Sequence, residues 1–141
     1  MKKVFLHIVV LLIATCCSIE PQPINYGKDA CHYCKMSIVD RQHNAEIVTK
    51  KGKAFKYDAI ECMVRDIGRR DENEIALFLI ADYTIPGKLV DATRATYLIS
   101  ATLPSPMGAN LTGFEHQENA IKIQQKKTGD LLTWGEVKNR F

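Results

Sequence analysis

"KAFKYDAIECMVRDIG", residues 53–68, changes its periodicity halfway along. "KAFKYD" alternates as a strand does, and Asp58 with Glu61 three residues on makes a capping-box-like start. Ile60, Met63, Val64 and Ile67 then recur at i, i+3, i+4 and i+7 before Gly68 stops the pattern, which predicts a helix over about 59–67. Upstream, "MSIVD" (36–40) and "AEIVTK" (45–50) are β-branched stretches separated by the polar turn "RQHN", and read as antiparallel strands. Downstream, "EIALFLIADY" (74–83) is an almost continuous apolar run, suited to a buried strand. The first half is thus β-β-α-β.

The second half repeats that plan. "KLVDA" (88–92) and "ATYLISA" (95–101) read as strands, "TLPSPMGANLTGF" (102–114) as a loop, 117–127 as a helix closed by Gly129, and "DLLTW" (130–134) as a strand. Phe55 with Asp58-Ala59-Ile60 is echoed by Phe114 with Asn119-Ala120-Ile121, each aromatic ahead of a helix start. Thr133 and Glu136 form a second capping box, so "WGEVKNRF" is expected to be a short C-terminal helix. The expected class is α+β: two similar β-β-α-β units, about 34–82 and 88–134, packed together because neither alone buries enough apolar surface.

Lys2 and Lys3 precede an apolar run, Val4 to Ala14, that ends abruptly at Thr15 and Cys16. A spanning helix needs about 20 apolar residues, so this run reads as a secretory signal. Ile13-Ala14-Thr15-Cys16 is similar to a bacterial lipobox, which makes 1–15 a lipoprotein signal peptide and Cys16 the lipidated N-terminus. An uncleaved anchor and plain secretion are the alternatives. Residues 16–28 would be the tether, unless their "INYG" end packs along the body, and 29–141 the domain. The formal charge of the 141 residues is +3, and two of the lysines lie in the signal. The near-neutral remainder gives no electrostatic case for nucleic acid.

Of five cysteines, Cys31, Cys34 and Cys62 remain in the body once Cys16 is lipidated and Cys17 is given to the tether. Three thiols cannot all pair, even in an oxidising envelope. "CHYCKMSIVD" (31–40) holds two of them with Met36. Structural zinc wants four ligands, normally from two knuckles, and the chain has no second knuckle. A thioredoxin-like pair wants a helix after it, whereas the stretch after Cys34 is β-branched. A Cys31–Cys34 disulfide stays open, with Met36 then ordinary core. Copper(I) suits the residue types best, since thiolate and thioether sulfurs are soft ligands and two or three suffice. Cys34 and Met36, two apart on a strand, would share a face, with Cys31 across a turn.

Met107 stands in "PSPMGAN", where prolines and glycine fix and expose the backbone, so it could cap the sulfurs from the second unit. Cys62 lies off the apolar stripe of its helix, either because that helix is buried on two sides, which is preferred, or because it faces the site. His43 and His116 read as solvated histidines, His116 being the better reserve ligand.

Together, "EPQPINYGKDACHYCKMSIVD", "TKKGKAFKYDAIECM", "ADYTIPGKLVDATRATYLISA" and "PMGANLTGF" resemble the NosL family over nearly the whole mature chain. The resemblance implies a membrane-anchored, periplasm-facing Cu(I) chaperone, not an enzyme, that acts as a monomer. Its partners would be nitrous oxide reductase and the ABC-type membrane complex that matures it. Carried over residue by residue, Cys31, Cys34 and Met36 match the family's C-x-x-C-x-M element, and Met107 its loop methionine. The implied two-unit topology is shared with organomercurial lyase. An organomercurial-lyase-like thiol enzyme, using Asp58 and Cys62, is therefore the rival of another class; a metal-free surface lipoprotein with a Cys31–Cys34 disulfide is the third reading.

Overall fold

The computed structural model describes residues 18–141; the expected signal peptide 1–15 and the lipidation residue Cys16 lie outside the described residues. Among the described residues, seven strands and three α-helices succeed one another as β1 (Ala45–Thr49), β2 (Ala54–Tyr57), α1 (Ile60–Ile67), β3 (Ile75–Ala81), β4 (Leu89–Asp91), β5 (Thr96–Ile99), β6 (Leu111–Phe114), α2 (Gln117–Lys127), β7 (Asp130–Leu132) and α3 (Trp134–Arg140), with a single 3-10 turn at Glu72–Glu74 ahead of β3. They form two antiparallel sheets, ordered β2-β1-β3-β4 and β6-β5-β7. The two units share one plan, β1-β2-α1-β3 and β5-β6-α2-β7, in which the first strand is central and the second and last strands flank it. The fold is the expected α+β pair with a short C-terminal helix, α3, capped by Thr133 and Glu136 in a reciprocal box. Among the described residues, no helix is long and apolar enough to cross a membrane.

Three local expectations are corrected. "MSIVD" is not a strand: it makes only an isolated bridge, Ala30 to Ser37, because Lys35 adopts φ 68° and turns the chain back on itself. "KLVDA" does not open the second unit, since β4 pairs with β3 through Leu79–Asp91, Ile80–Val90 and Ala81–Leu89 and so extends the first sheet. The second unit takes its other strand, β6, from the end of the expected loop, where "LTGF" carries a glycine and no alternation to announce it. The halves also align differently: Tyr57 and Phe114 end the equivalent strands β2 and β6, each three residues before its helix starts.

Helix α1 lies between the sheets, touching β1 and β2 on one side and β6 on the other. The helix is accordingly buried along nearly its whole length, including Glu61, Cys62 and Asp66. Helix α2 packs against its own sheet from outside and buries only Ala120. The principal core joins α1 and the first sheet to Tyr97 and Leu111 of the second, and a smaller core of Leu98, Leu103, Phe114 and Ala120 lies under α2. Ahead of β1, residues 22–29 are bonded to the body: Gln22 N–H donates to Glu46 Oε1 at 2.7 Å and Gly27 N–H to the Ile38 carbonyl at 2.8 Å.

Gly113 sets how closely the units meet. A Cβ there would stand 2.2 Å from Ile80 Cδ1 of β3 and 3.3 Å from Ile60 Cδ1 of α1. Both isoleucines are fully buried, so a Cβ at 113 forces their side chains to shift within the core. Gly113→Ala is expected to lower stability by about 1–3 kcal/mol through overpacking. A denaturant midpoint equal to that of the parent would show that the sheets do not depend on this approach.

Candidate metal centre

The loop from Ala30 to Ser37 curls around its own sulfurs. Cys31 N–H donates to the Met36 carbonyl at 2.8 Å, and Lys35 N–H to the Cys31 carbonyl at 3.0 Å. Inside that ring, Cys34 N–H points at Cys31 Sγ, 3.5 Å away. His32 N–H donates to the Lys56 carbonyl at 2.8 Å, which fastens the loop to β2. Strand β2 runs directly into α1, so Asp58 and Cys62 arrive beside the loop from the helix start.

Four side chains meet there. One ligand atom from each of Cys31, Cys34, Asp58 and Cys62 lies within 4.8 Å of the others. Cys31 and Cys62 are fully buried, Cys34 is half-buried, and all three thiols are free. Asp58 is only 2 % exposed and its Oδ1 accepts from Cys34 Sγ–H at 3.3 Å. It does not cap α1, whose N-cap is Ala59 without a side-chain bond. The expected capping pair, Asp58 and Glu61, is thus spent on the site.

Glu61 is the second departure. It is fully buried beside Cys62, and its Oε1 accepts from Ser105 Oγ at 2.5 Å and from Ala109 N–H at 3.3 Å. Ser105 Oγ accepts in turn from Asn110 N–H at 2.9 Å. Ser105 and Ala109 flank Met107, so one carboxylate on the first turn of α1 holds both feet of the loop that carries the thioether. Met107 is half-buried and packs on the core that contains Cys31 and Cys62. Met36 is placed otherwise: the reversal at Lys35 denies it a shared strand face with Cys34, and it stands 53 % exposed at the rim.

The histidines stay outside the cluster. His43 is buried, not solvated, with Nδ1 2.9 Å from Asp40 Oδ2 and Nε2 3.3 Å from Thr112 Oγ1. His116 is exposed at the start of α2, 3.4 Å from Glu115. His32, between the cysteines, is held below its usual range by burial, with Lys35, Arg70 and Lys53 adding to this against Asp66.

The three thiols differ in how firmly they hold their protons. The Cys62 thiol, within 4.8 Å, is the largest influence on Cys31 and brings it down to about 6, against the cost of burial. The same pairing is the largest cause holding Cys62 well above the ordinary thiol range. Burial pushes Cys34 up to about 11. Cys31 is thus the thiol of the trio that loses its proton most readily, and Cys34 and Cys62 hold theirs. Since the Cys31 pKa is depressed on folding, its contribution to stability is full above the ordinary thiol range and is lost as pH falls through about 6.

An α+β domain of two like units, with three soft sulfurs and a carboxylate converging at their junction, is a frame for a soft metal. Known proteins share this sequence pattern and fold. The family model of NosL matches residues 23–141, and the chain belongs to the NosL family. The copper-binding lipoprotein NosL of Stutzerimonas stutzeri is 27% identical, the match covering 85% of this chain and 67% of that protein. The crystal structure of the copper chaperone NosL from Shewanella denitrificans superposes with a TM-score of 0.69 at 18% identity, over 84% of this chain and 96% of the other, a likeness of fold.

In metal-free protein, ultraviolet thiolate absorbance is expected to rise by one equivalent near pH 6. Cys62→Ala removes that influence, and the step then moves up toward the free-thiol value of about 8.5. A step that stays near pH 6 in the variant would contradict the assignment of Cys62 as its cause.

Proposed function

We propose that this chain is a lipid-anchored, periplasm-facing Cu(I) chaperone that delivers copper for assembly of nitrous oxide reductase, with the ABC-type maturation complex as its membrane partner and lipidated Cys16 as its anchor. The observation that carries the reading is the convergence of Cys31, Cys34 and Cys62 within 4.8 Å, with the Met107 loop bonded to the same helix turn. Copper is cargo here. Three sulfurs satisfy Cu(I), whereas zinc would draw on Asp58 as a fourth ligand and leave both thioethers without a role. The names of the two relatives point the same way.

In this reading Cys31 and Cys62 are the retained ligands, since neither meets solvent, and Cys34 with Met36 is the side at which an incoming ligand attacks. Cys31 offers its charge at neutral pH. Cys34 must lose a proton to bind, and Asp58, already its hydrogen-bond acceptor, receives that proton or passes it to water. Departure of the metal reverses the step. Met107 carries no proton, so its contribution does not depend on pH, and Glu61 fixes where it stands.

The bond from Cys34 to Asp58 also favours a second reading, the thiol enzyme, in which paired cysteines take a carbon-bound metal and the acid protonates the carbon. One set of measurements separates the two. Anaerobic competition for Cu(I) is expected to show one ion per chain, weakened at least about tenfold by Cys34→Ser and less by Met107→Ala. No uptake, or uptake unaltered in the double variant, would overturn the chaperone reading; hydrocarbon released from an organomercurial would establish the enzyme instead.

A further inference from the structure

The chain is nearly balanced in charge, +3 formally, yet its cations are gathered unevenly. Lys50, Lys51 and Lys53 crowd the β1–β2 turn, Arg69 and Arg70 come directly after α1, and Lys35 projects from the cysteine loop. A cleft between the turn and the end of α1 is lined by Lys50, Lys51, Lys53, Phe55 and Arg70, with Glu74 as its acidic member. Arg70 is paired with Asp66 and neighbouring Lys56 with Asp29. Among the described residues, Lys35, Lys50, Lys51, Lys53 and Arg69 have no carboxylate within 4.0 Å.

Aromatic rings hold two of these cations, Lys53 and Arg69, and also the paired Arg70. Lys53 Nζ and Arg70 Cζ lie 4.7 and 4.0 Å from the centroid of Phe55, and Arg69 Cζ lies 4.9 Å from that of Tyr33. Arg69 Nη2 also donates to Tyr33 Oη at 3.2 Å. His32 meets Phe55 edge-on at 4.6 Å, and its carbonyl accepts from Lys35 Nζ. A ring fixes a cation in place without neutralising it, so the face stays electropositive and shaped. His32 and Tyr33 are the two residues between Cys31 and Cys34. The platform and the thiol loop are therefore one piece of structure.

We propose that this cationic–aromatic face docks an acidic protein surface, that of the molecule exchanging copper with Cys34; the assignment rests on the copper reading above. His32 and Tyr33 belong to the platform, so a partner seated on it lies against the loop that carries Cys34 and exposed Met36. An anionic membrane would meet the charge but offers the metal no sulfur or nitrogen ligand, and would close its way out. An acidic protein face meets the charge and can present that ligand, and the attraction acts mainly on the rate of encounter. The transfer is stepwise ligand exchange at Cu(I): a sulfur bond from the partner forms on copper as the bond to Cys34 breaks, and the bonds to Cys62 and Cys31 are replaced in turn as a second partner sulfur binds. Each proton lost by an incoming thiol is matched by one taken up by a released cysteine, and the oxidation state does not change.

The test uses two peptides with one central methionine-cysteine pair, flanked by glutamates in one and glutamines in the other. Transfer from the copper-loaded full chain is expected to be on the order of tenfold faster to the glutamate peptide at low ionic strength. High salt, and Lys51→Glu with Lys53→Glu or Arg69→Glu alone, should abolish the preference while Cu(I) affinity stays within about twofold, well under the 1.4 kcal/mol of a tenfold change. Docking is also read without copper, as anisotropy of the labelled peptides, so failure of copper uptake and failure of docking are told apart. Equal rates and equal anisotropy for the two peptides would overturn the proposal. So would charge-dependent flotation with phosphatidylglycerol over phosphatidylcholine vesicles in the absence of peptide preference.

Discussion

Helix α1 is enclosed by both sheets, and the chemistry of the molecule depends on that enclosure. A surface helix with the stripe Ile60, Met63, Val64 and Ile67 would turn Glu61 and Cys62 to water. Here β6 lies across that other side, made close by Gly113, and the polar positions must find partners inside the protein. Burying an unpaired carboxylate is costly, which is why Glu61 holds Ser105 and Ala109 and Asp58 holds Cys34. The same enclosure pushes the Cys62 thiol against Cys31. The two-unit fold and the sulfur cluster are thus a single packing solution.

The arrangement gives each thiol a different character. Cys31 is lowered because Cys62 faces it, Cys62 is raised by the same pairing, and Cys34 is raised by burial while remaining the one that meets solvent. A site with one readily ionised thiol and one protonated thiol at the mouth can take up a soft cation without first assembling several repelling charges. In the copper reading, the loop with Met107 would add a ligand that oxidation of thiols to disulfides leaves untouched.

The helix stripe, the buried run of β3 and the Thr133–Glu136 box were all legible, because local periodicity and capping chemistry survive in the fold. The doubled unit was legible from the recurrence of strand, aromatic and helix, though its alignment shifted by a few residues. Strand β6 was hidden, since "LTGF" owes its extended form to pairing with β5 and not to its own residues. Cys31 and Cys34 stood out by spacing. Cys62 did not, because its role depends on which face of α1 the second unit covers, a tertiary fact; its position off the apolar stripe was the available signal. Asp58 and Glu61 looked like a capping box three residues apart, and the site had a stronger use for both. Met36 was misplaced by one residue's backbone: Lys35 at φ 68° is not readable from a β-branched run.

The central claim of the copper reading is that Cys62 joins Cys31 and Cys34 in a metal site of sulfur alone, closed from the second unit by Met107. X-ray absorption of the Cu(I)-loaded chain tests it most directly. The account predicts a first shell of sulfur alone, with one fewer scatterer in Cys62→Ala and a weakened sulfur shell in Glu61→Ala, where the Met107 loop is released. A shell containing nitrogen, or one unaltered when Cys62 is removed, would contradict it.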